Sequence, residues 1–260
     1  MTEADPAFWA GHAPLLFPIV GSLNGDRYRV NGREYELCRH GFARHTPFEV
    51  IDAGESEARF LLRDSDETRA VYPFAFELEL VFRLQGATLY VEATVRNPGT
   101  EPLPFSFGYH PAFAWPLPGG ADKGDHVIVF AEPEPRPIRR LEASSGLMLP
   151  DAVPTPVEGH HLALDASLFE ADAMIWDELT SRSLTFGTPG GSQIALSFPD
   201  MPMLGLWQKP GAQFLCIEPW QGHADPIGFT GDFRAKPGAV QLAPGASRSF
   251  RMGVTVLSAD

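Results

Sequence analysis

The sequence predicts an all-β protein, a large and mostly antiparallel β-sandwich, from three observations. Glycine and proline number 25 each in 260 residues, a density of turn punctuation that argues against a helical bundle and for many short strands. Apolar residues alternate with polar ones over short runs, the two-residue period of half-buried strands. No internal repeat, heptad or break in composition divides the chain, so residues 1–260 read as one domain of two sheets packed face to face.

The elements follow in order. Arg27 to Val30, the dipeptide Asn31-Gly32 and Arg33 to Leu37 form a hairpin signal, because Asn-Gly supplies the positive φ angles of a type I′ turn. Phe60 to Arg63 reads as a strand. Phe74 to Leu84 reads as another, turned by Gln85-Gly86-Ala87 into a well-alternating strand from Thr88 to Asn97, which Pro98-Gly99 closes. Val127 to Phe130 is a strand. Leu184 to Phe186 and Gln193 to Phe198 flank the turn at Pro189-Gly190-Gly191. Phe214 to Ile217 follows the turn Lys209-Pro210-Gly211. The last strand, Arg248 to Leu257, places Phe250, Met252, Val254 and Val256 on one face. Residues 116–126 and the Pro-rich, acidic residues 131–160 read as loops, the second only partly ordered. One short helix is expected near Leu168–Ala173.

Bulk composition excludes several classes. Hydrophobic content of 44% is that of an ordinary globular protein. A net charge of −13 repels phosphate backbones and anionic membranes, so neither nucleic acid nor membrane is an expected partner. No apolar run reaches the length of a membrane span. The start, Met1 to Asp5, is acidic and lacks the features of a signal peptide. Cys38 and Cys216 make no disulfide framework, so reduced thiols and a cytoplasmic location are expected.

Three segments carry chemistry. In Cys216-Ile217-Glu218-Pro219-Trp220, the strand period puts Phe214, Cys216, Glu218 and Trp220 on one face. A carboxylate among apolar neighbours is desolvated, which raises its pKa and suits it to proton transfer. The indole offers a flat apolar plate that matches the C–H face of a sugar ring. The second segment, Arg39-His40-Gly41-Phe42-Ala43-Arg44-His45, offers His40 and Arg44 as donors to hydroxyls, with Gly41 free to take positive φ. The third, Phe105 to Trp115, sets His110 in an aromatic wall, where its pKa is tunable near neutrality. Taken singly, each also fits a structural role. His160-His161 face opposite ways and His223 and Asp225 lack a third partner, so no metal is expected. No P-loop, GxGxxG or GxSxG occurs, and no cofactor is expected.

Together these segments resemble the aldose 1-epimerase (galactose mutarotase-like) superfamily, and within it the LacX-type bacterial branch. The resemblance runs from Pro14-Leu15-Leu16-Phe17-Pro18-Ile19-Val20-Gly21 through the two histidine segments to Leu204-Gly205-Leu206-Trp207, Cys216 to Trp220, Gly231-Asp232-Phe233 and Leu242-Ala243-Pro244-Gly245. It implies the large sandwich of that family and interconversion of the α and β anomers of an aldose. It makes Glu218 the base and His110 the acid, with His40, Arg44, Asp172, Trp207 and Trp220 as substrate-binding residues. The chemistry asks the acid and base to stand on opposite sides of the sugar ring. One departure is Gly21-Ser22, where many members carry Gly-Arg. It removes a cation from the pocket rim and leaves open a plain aldose or a sugar phosphate, with Arg27, Arg39 and Arg44 as candidates to compensate. A non-catalytic sugar-binding or sensing protein of the same fold, and a lyase or an epimerase acting elsewhere on the sugar, are the alternatives.

Overall fold

A computed structural model describes residues 7–119 and 121–257. The acidic start Met1 to Asp5 lies outside the described residues. Two sheets dominate. The larger has nine strands in the order His161–Ala163, Val127–Phe130, Ser183–Gly187, Gln193–Ser197, Ser247–Leu257, Thr88–Arg96, Glu77–Gln85, Glu57–Arg63 and Glu49–Ala53. The smaller has six, ordered Leu15–Leu16, Phe107–Tyr109, Phe214–Gln221, Met203–Trp207 and Met174–Trp176, with Ala112–Ala114 also paired to Phe214–Gln221. Their strand pairs are antiparallel.

The sheets pack face to face because each presents one apolar side to the other. Leu78, Leu80, Val91, Val95, Phe186, Leu196 and Phe250 of the larger sheet share a buried cluster with Phe107, Tyr109, Trp176, Leu204, Leu206, Leu215 and Ile217 of the smaller. The Tyr109 hydroxyl crosses the interface and donates to the Phe250 carbonyl at 2.9 Å. The hairpin at Asn31-Gly32 forms as expected, with φ of 53° and 76°, and makes its own two-stranded sheet.

The smaller sheet is apolar on its outer side too. A second cluster there joins Leu16, Val20, Ile175, Met203 and Trp220 to Leu141 and Met148 of the 131–160 segment. A third gathers Ala212, Phe214 and Cys216 under Phe8 and Trp9. This double burial explains why the strand expected over Phe214 to Ile217 runs on to Gln221, buried at every position but the last.

Four expectations are corrected. The 131–160 segment is packed rather than partly ordered: Ile138 and Met148 are buried, and the buried Glu134 accepts from the Thr180 and Ser181 N–H groups. The strand expected from Phe74 begins at Glu77, because the Phe74 N–H bonds to the Tyr72 carbonyl and the Phe76 N–H to Asp64. The helix near Leu168–Ala173 is a 3₁₀ turn over Ala166–Phe169, and Asp172 has a left-handed φ of 62° that no helix admits. An α-helix, Asp66–Val71, stands where none is expected. Ser65 caps it by accepting from the Thr68 N–H, while the Thr68 hydroxyl accepts from the Ser65 N–H. Along the last strand the shared face holds at Phe250 and Met252 and then fades, with Val256 63% exposed beyond the end of the sandwich.

Candidate active site

The loops covering the outer side of the smaller sheet enclose a cavity of about 560 Å³. All seven residues singled out from the sequence line it: Glu218, His110, His40, Arg44, Asp172, Trp207 and Trp220. The strand Phe214–Gln221 builds the floor. Its alternation sends Leu215 and Ile217 into the sandwich core and Phe214, Cys216, Glu218 and Trp220 outward. Trp220 lies over two glycines on the flanking strands. A Cβ on Gly205 would meet its ring at 2.5 Å, and one on Gly108 at 2.6 Å.

His110 sits in the turn that leads from Phe107–Tyr109 to Ala112–Ala114. Its Nε2 is 3.2 Å from Glu218 Oε2, and both side chains are buried. Trp9 stacks on the imidazole at 4.8 Å, while His40 and Trp207 meet it edge-on. His40 adopts a φ of 69°, and Gly41 follows at 71°, where a Cβ would strike the Phe17 carbonyl at 2.3 Å. The Gly21 N–H donates to His40 Nδ1 at 3.1 Å, and the His40 N–H returns a bond to the Gly21 carbonyl. Nδ1 is therefore an acceptor, which places the ring proton of the neutral imidazole on Nε2. The Asp172 carboxylate accepts from the Ala173 N–H, and Arg140 donates to the Asp172 carbonyl.

Buried polar atoms without an aligned hydrogen-bond partner cluster here. They include Glu218 Oε2, His110 Nδ1, Trp220 Nε1 and Gln208 Oε1, all in residues that line the cavity. Such atoms are costly to leave unpaired, and their concentration in one cavity gives it a surface able to bond polar groups.

Burial also sets the protonation. It pushes the Glu218 carboxyl well above the usual carboxylate range. Arg39 opposes the shift, Asp172 adds to it, and the Trp220 indole N–H opposes it from a position not aligned as a hydrogen bond. Burial holds His110 down at about 3; its own backbone hydrogen bond offsets this in part, and Arg44 and Arg39 reinforce it. His40 is lowered well below its usual value, by burial first and then by His110, Arg39 and Arg44. Both shifts favour the neutral forms, a protonated Glu218 beside an uncharged His110. The His110 and Glu218 side chains are in direct contact across the cavity floor.

This desolvation has a measurable consequence. The unfolded chain takes up a proton at His110 near pH 6.5, which the folded chain refuses until about 3. Stability is therefore full above that window and falls as pH drops through it. In His110→Asn the slope of unfolding free energy against pH should flatten there by up to one proton, about 1.4 kcal/mol per pH unit. Urea denaturation at stepped pH reads this, and unchanged slopes would contradict the assignment.

Several lining residues escaped the sequence reading. Trp9 had a signal, an aromatic pair Phe8-Trp9 in a polar leader, whereas Leu141 and Phe169 lie in segments without strand pattern. Arg39 is the nearest answer to the missing rim cation. A Cβ on Gly146 would lie 2.9 Å from Ser22 Oγ and 3.5 Å from Arg39 Cζ, so the guanidinium flanks the space beside the serine. Arg27 faces away, paired with Glu34 and Glu36 on the hairpin. His223 and Asp225 stand behind the wall: His223 contacts the Ala224 carbonyl, and Asp225 pairs with the buried Lys236 at 2.5 Å. His110, Cys216 and Glu218 offer donor atoms within 4.8 Å of one another, but burial raises the acid and thiol pKa values, which disfavours the deprotonated ligands a metal needs.

A large antiparallel sandwich with a histidine–carboxylate pair in an indole-walled cavity on its smaller sheet defines a galactose mutarotase-like protein. Solved structures agree. The galactose mutarotase related enzyme from Lactobacillus acidophilus superposes with a TM-score of 0.90 at 33% identity, covering 100% of this chain and 87% of that one. A galactose mutarotase-like protein from Lactobacillus casei ATCC 334 gives 0.88 at 30% identity, over 97% and 87%. The chromosomal protein LacX of Lactococcus lactis subsp. lactis is 34% identical over 265 aligned positions, spanning 98% of this chain and 89% of LacX. The aldose 1-epimerase family matches residues 3–240. The chain belongs to the aldose 1-epimerase family.

Proposed function

We propose that this protein is an aldose 1-epimerase that opens and recloses the ring of a hexose or related sugar, acting as a single domain. The observation that carries the reading is the 3.2 Å contact between His110 and Glu218 at an otherwise unpartnered polar cavity floor. The two oxygens that exchange protons in mutarotation, the C1 hydroxyl and the ring oxygen, are bonded to the same carbon. An acid and a base in contact match that spacing better than a pair separated by a whole ring.

The proton already held by Glu218 supplies the acid. When a sugar enters, its hydroxyls and the free Trp220 N–H stabilise the carboxylate, and the proton moves from Glu218 to His110. Glu218 then takes the proton of the C1 hydroxyl while His110 gives its own to the ring oxygen, and the C1–ring oxygen bond breaks. The aldehyde turns about C1–C2. On closure at the other face His110 takes the proton back and Glu218 returns one to the new C1 oxygen. His40 presents its Nε2–H to the hydroxyls. Asp172 and Arg44 face the sugar from two further segments, and Trp207 and Trp220 pack on its C–H faces. The chemistry is redox-neutral and calls for no cofactor.

A sugar-binding or sensing protein would keep the indoles and the hydroxyl donors but would have no use for the buried proton pair. Exchange NMR between the anomers of glucose and of galactose tests the choice. Cross-peaks that grow in proportion to protein concentration, above the spontaneous rate, are expected. Ligand line-broadening without exchange would replace the enzyme with the binding protein.

A further inference from the structure

Basic residues in this acidic chain are otherwise spoken for. Arg63 pairs with Glu49 and Glu77, Arg96 with Glu79, Arg251 with Asp200 and Lys236 with Asp225. Arg140 and Arg182 are held by backbone carbonyls. Five cations break this pattern: Arg33 and Arg248 lie over the rings of Tyr35 and Phe250 on the surface, while Arg39, Arg44 and Lys209 line the cavity. Among the described residues none of them has a hydrogen bond or a carboxylate within ion-pair distance.

The arrangement gathers like charges at one wall, with Arg39 and Lys209 exposed to solvent and Arg44 set deeper. Arg39 and Arg44 flank His40 on one loop and are close enough to repel, and Arg44 is half-buried as well, which with that repulsion disfavours its charge. A protein with a net charge of −13 and acidic residues to spare places none between them. The cavity's own acids, Glu170, Asp172 and Glu218, form no ion pair with Arg39, Arg44 or Lys209: Asp172 accepts from the Ala173 N–H, and Glu218 is buried against His110. Guanidinium groups in this state are ready-made partners for an oxyanion, which they bind with charge-assisted, often bidentate bonds. Positive charge inside a concave wall also offsets the repulsion that the rest of the surface exerts on an anion.

We infer that the aldose this site takes carries an anionic group remote from C1, a phosphate monoester or a carboxylate, received by Arg39 and Arg44 with Lys209 at the rim. This rests on the mutarotase reading for the chemistry at C1 but not for the binding of the anion. Neutral hexoses would leave the cations solvated and serve as poorer substrates.

The test compares anomer exchange of glucose, glucose 6-phosphate and glucuronate, with calorimetric binding of the same three sugars. The expected result is a kcat/KM for one anionic sugar about ten- to a hundredfold above glucose, the value of one charge-assisted contact. In Arg39→Gln that ratio should collapse through KM, with a smaller loss in Lys209→Gln, and added potassium chloride should erode it in the wild type. Whether the phosphate or the carboxylate shows the larger ratio names the group. Equal kcat/KM for all three sugars, or an Arg39→Gln effect identical for glucose and its phosphate, would overturn the inference and leave the mutarotase reading standing. If no sugar exchanges, the mutarotase reading fails instead. Calorimetry then decides the inference alone: Arg39-dependent binding of the anionic sugars sustains it, and equal or absent binding ends it.

Discussion

Glu218→Gln is expected to slow anomer exchange by about 10²–10⁴-fold, the usual contribution of a positioned general acid–base group. Glutamine keeps the shape of the side chain, and its amide can still meet hydroxyls, so sugar affinity should change little. What disappears is the ability to take a proton from the C1 hydroxyl and to hand one to His110 at 3.2 Å. Polarimetry on freshly dissolved α-D-glucose and α-D-galactose, with the anionic sugars alongside, follows the loss directly. Full activity in the variant would remove Glu218 from the mechanism. Stability should move the other way. The folded pKa of Glu218 lies well above its ordinary 4.5, so its contribution to stability is present below that value and is lost as pH rises through the folded pKa. Glutamine escapes this cost. A Tm at pH 7 higher than that of the wild type is therefore expected, alongside the lost rate.

The second large effect is structural. Lys236→Met should destabilise the protein by about 3–5 kcal/mol, the cost of leaving one buried charge without its partner, and lower Tm by roughly 10 °C. Both members of the Lys236–Asp225 pair are buried, and burial already lowers the lysine pKa against the pull of Asp225. Asp225 is also a junction. Its carboxylate accepts from the Asn24 N–H at 3.0 Å, its N–H donates to the Ser22 carbonyl, and its carbonyl accepts from the Met148 N–H. These bonds fix the segments that carry Gly21 and Ala224 into the cavity wall. Urea unfolding measures the loss. The double variant Lys236→Met/Asp225→Asn should recover part of it, because no uncompensated charge remains. A cost below about 1 kcal/mol in the single variant would show that the pair is solvated.

Much of this was legible in the sequence, and for specific reasons. Asn31-Gly32 dictates its turn by steric necessity. The Thr88 to Arg96 strand alternates cleanly, and the run around Glu218 places a carboxylate on an apolar face, as the structure bears out. What stayed hidden was what local pattern does not encode. The Asp66–Val71 helix is too short for a period and uses threonine where a glutamate would have advertised the cap. Residues 131–160 owe their order to contacts with distant strands, such as the bridge between Arg139 and Ile175. The contact between Glu218 and His110 joins positions far apart in the chain. Only the pairing of Phe214–Gln221 with Phe107–Tyr109 and Ala112–Ala114 brings them together.

The strand Phe214–Gln221 governs how this protein varies and how it can be redesigned. Its odd positions face the sandwich core and its even positions the outer side, where Glu218 and Trp220 line the cavity and Phe214 and Cys216 pack under Phe8 and Trp9, so two selective pressures are interleaved on one ribbon. Substitution respects that partition: a library at Trp220, with Phe214 and Cys216 beneath Trp9, can reshape the cavity while Leu215 and Ile217 go on holding the sheets together. Deletion or insertion does not. A slip of one residue would turn Glu218 into the hydrocarbon core and Ile217 toward the sugar, erasing foldability and chemistry in the same event. Lineages of this protein should therefore diverge here by replacement alone, and length changes should be confined to the turns at either end.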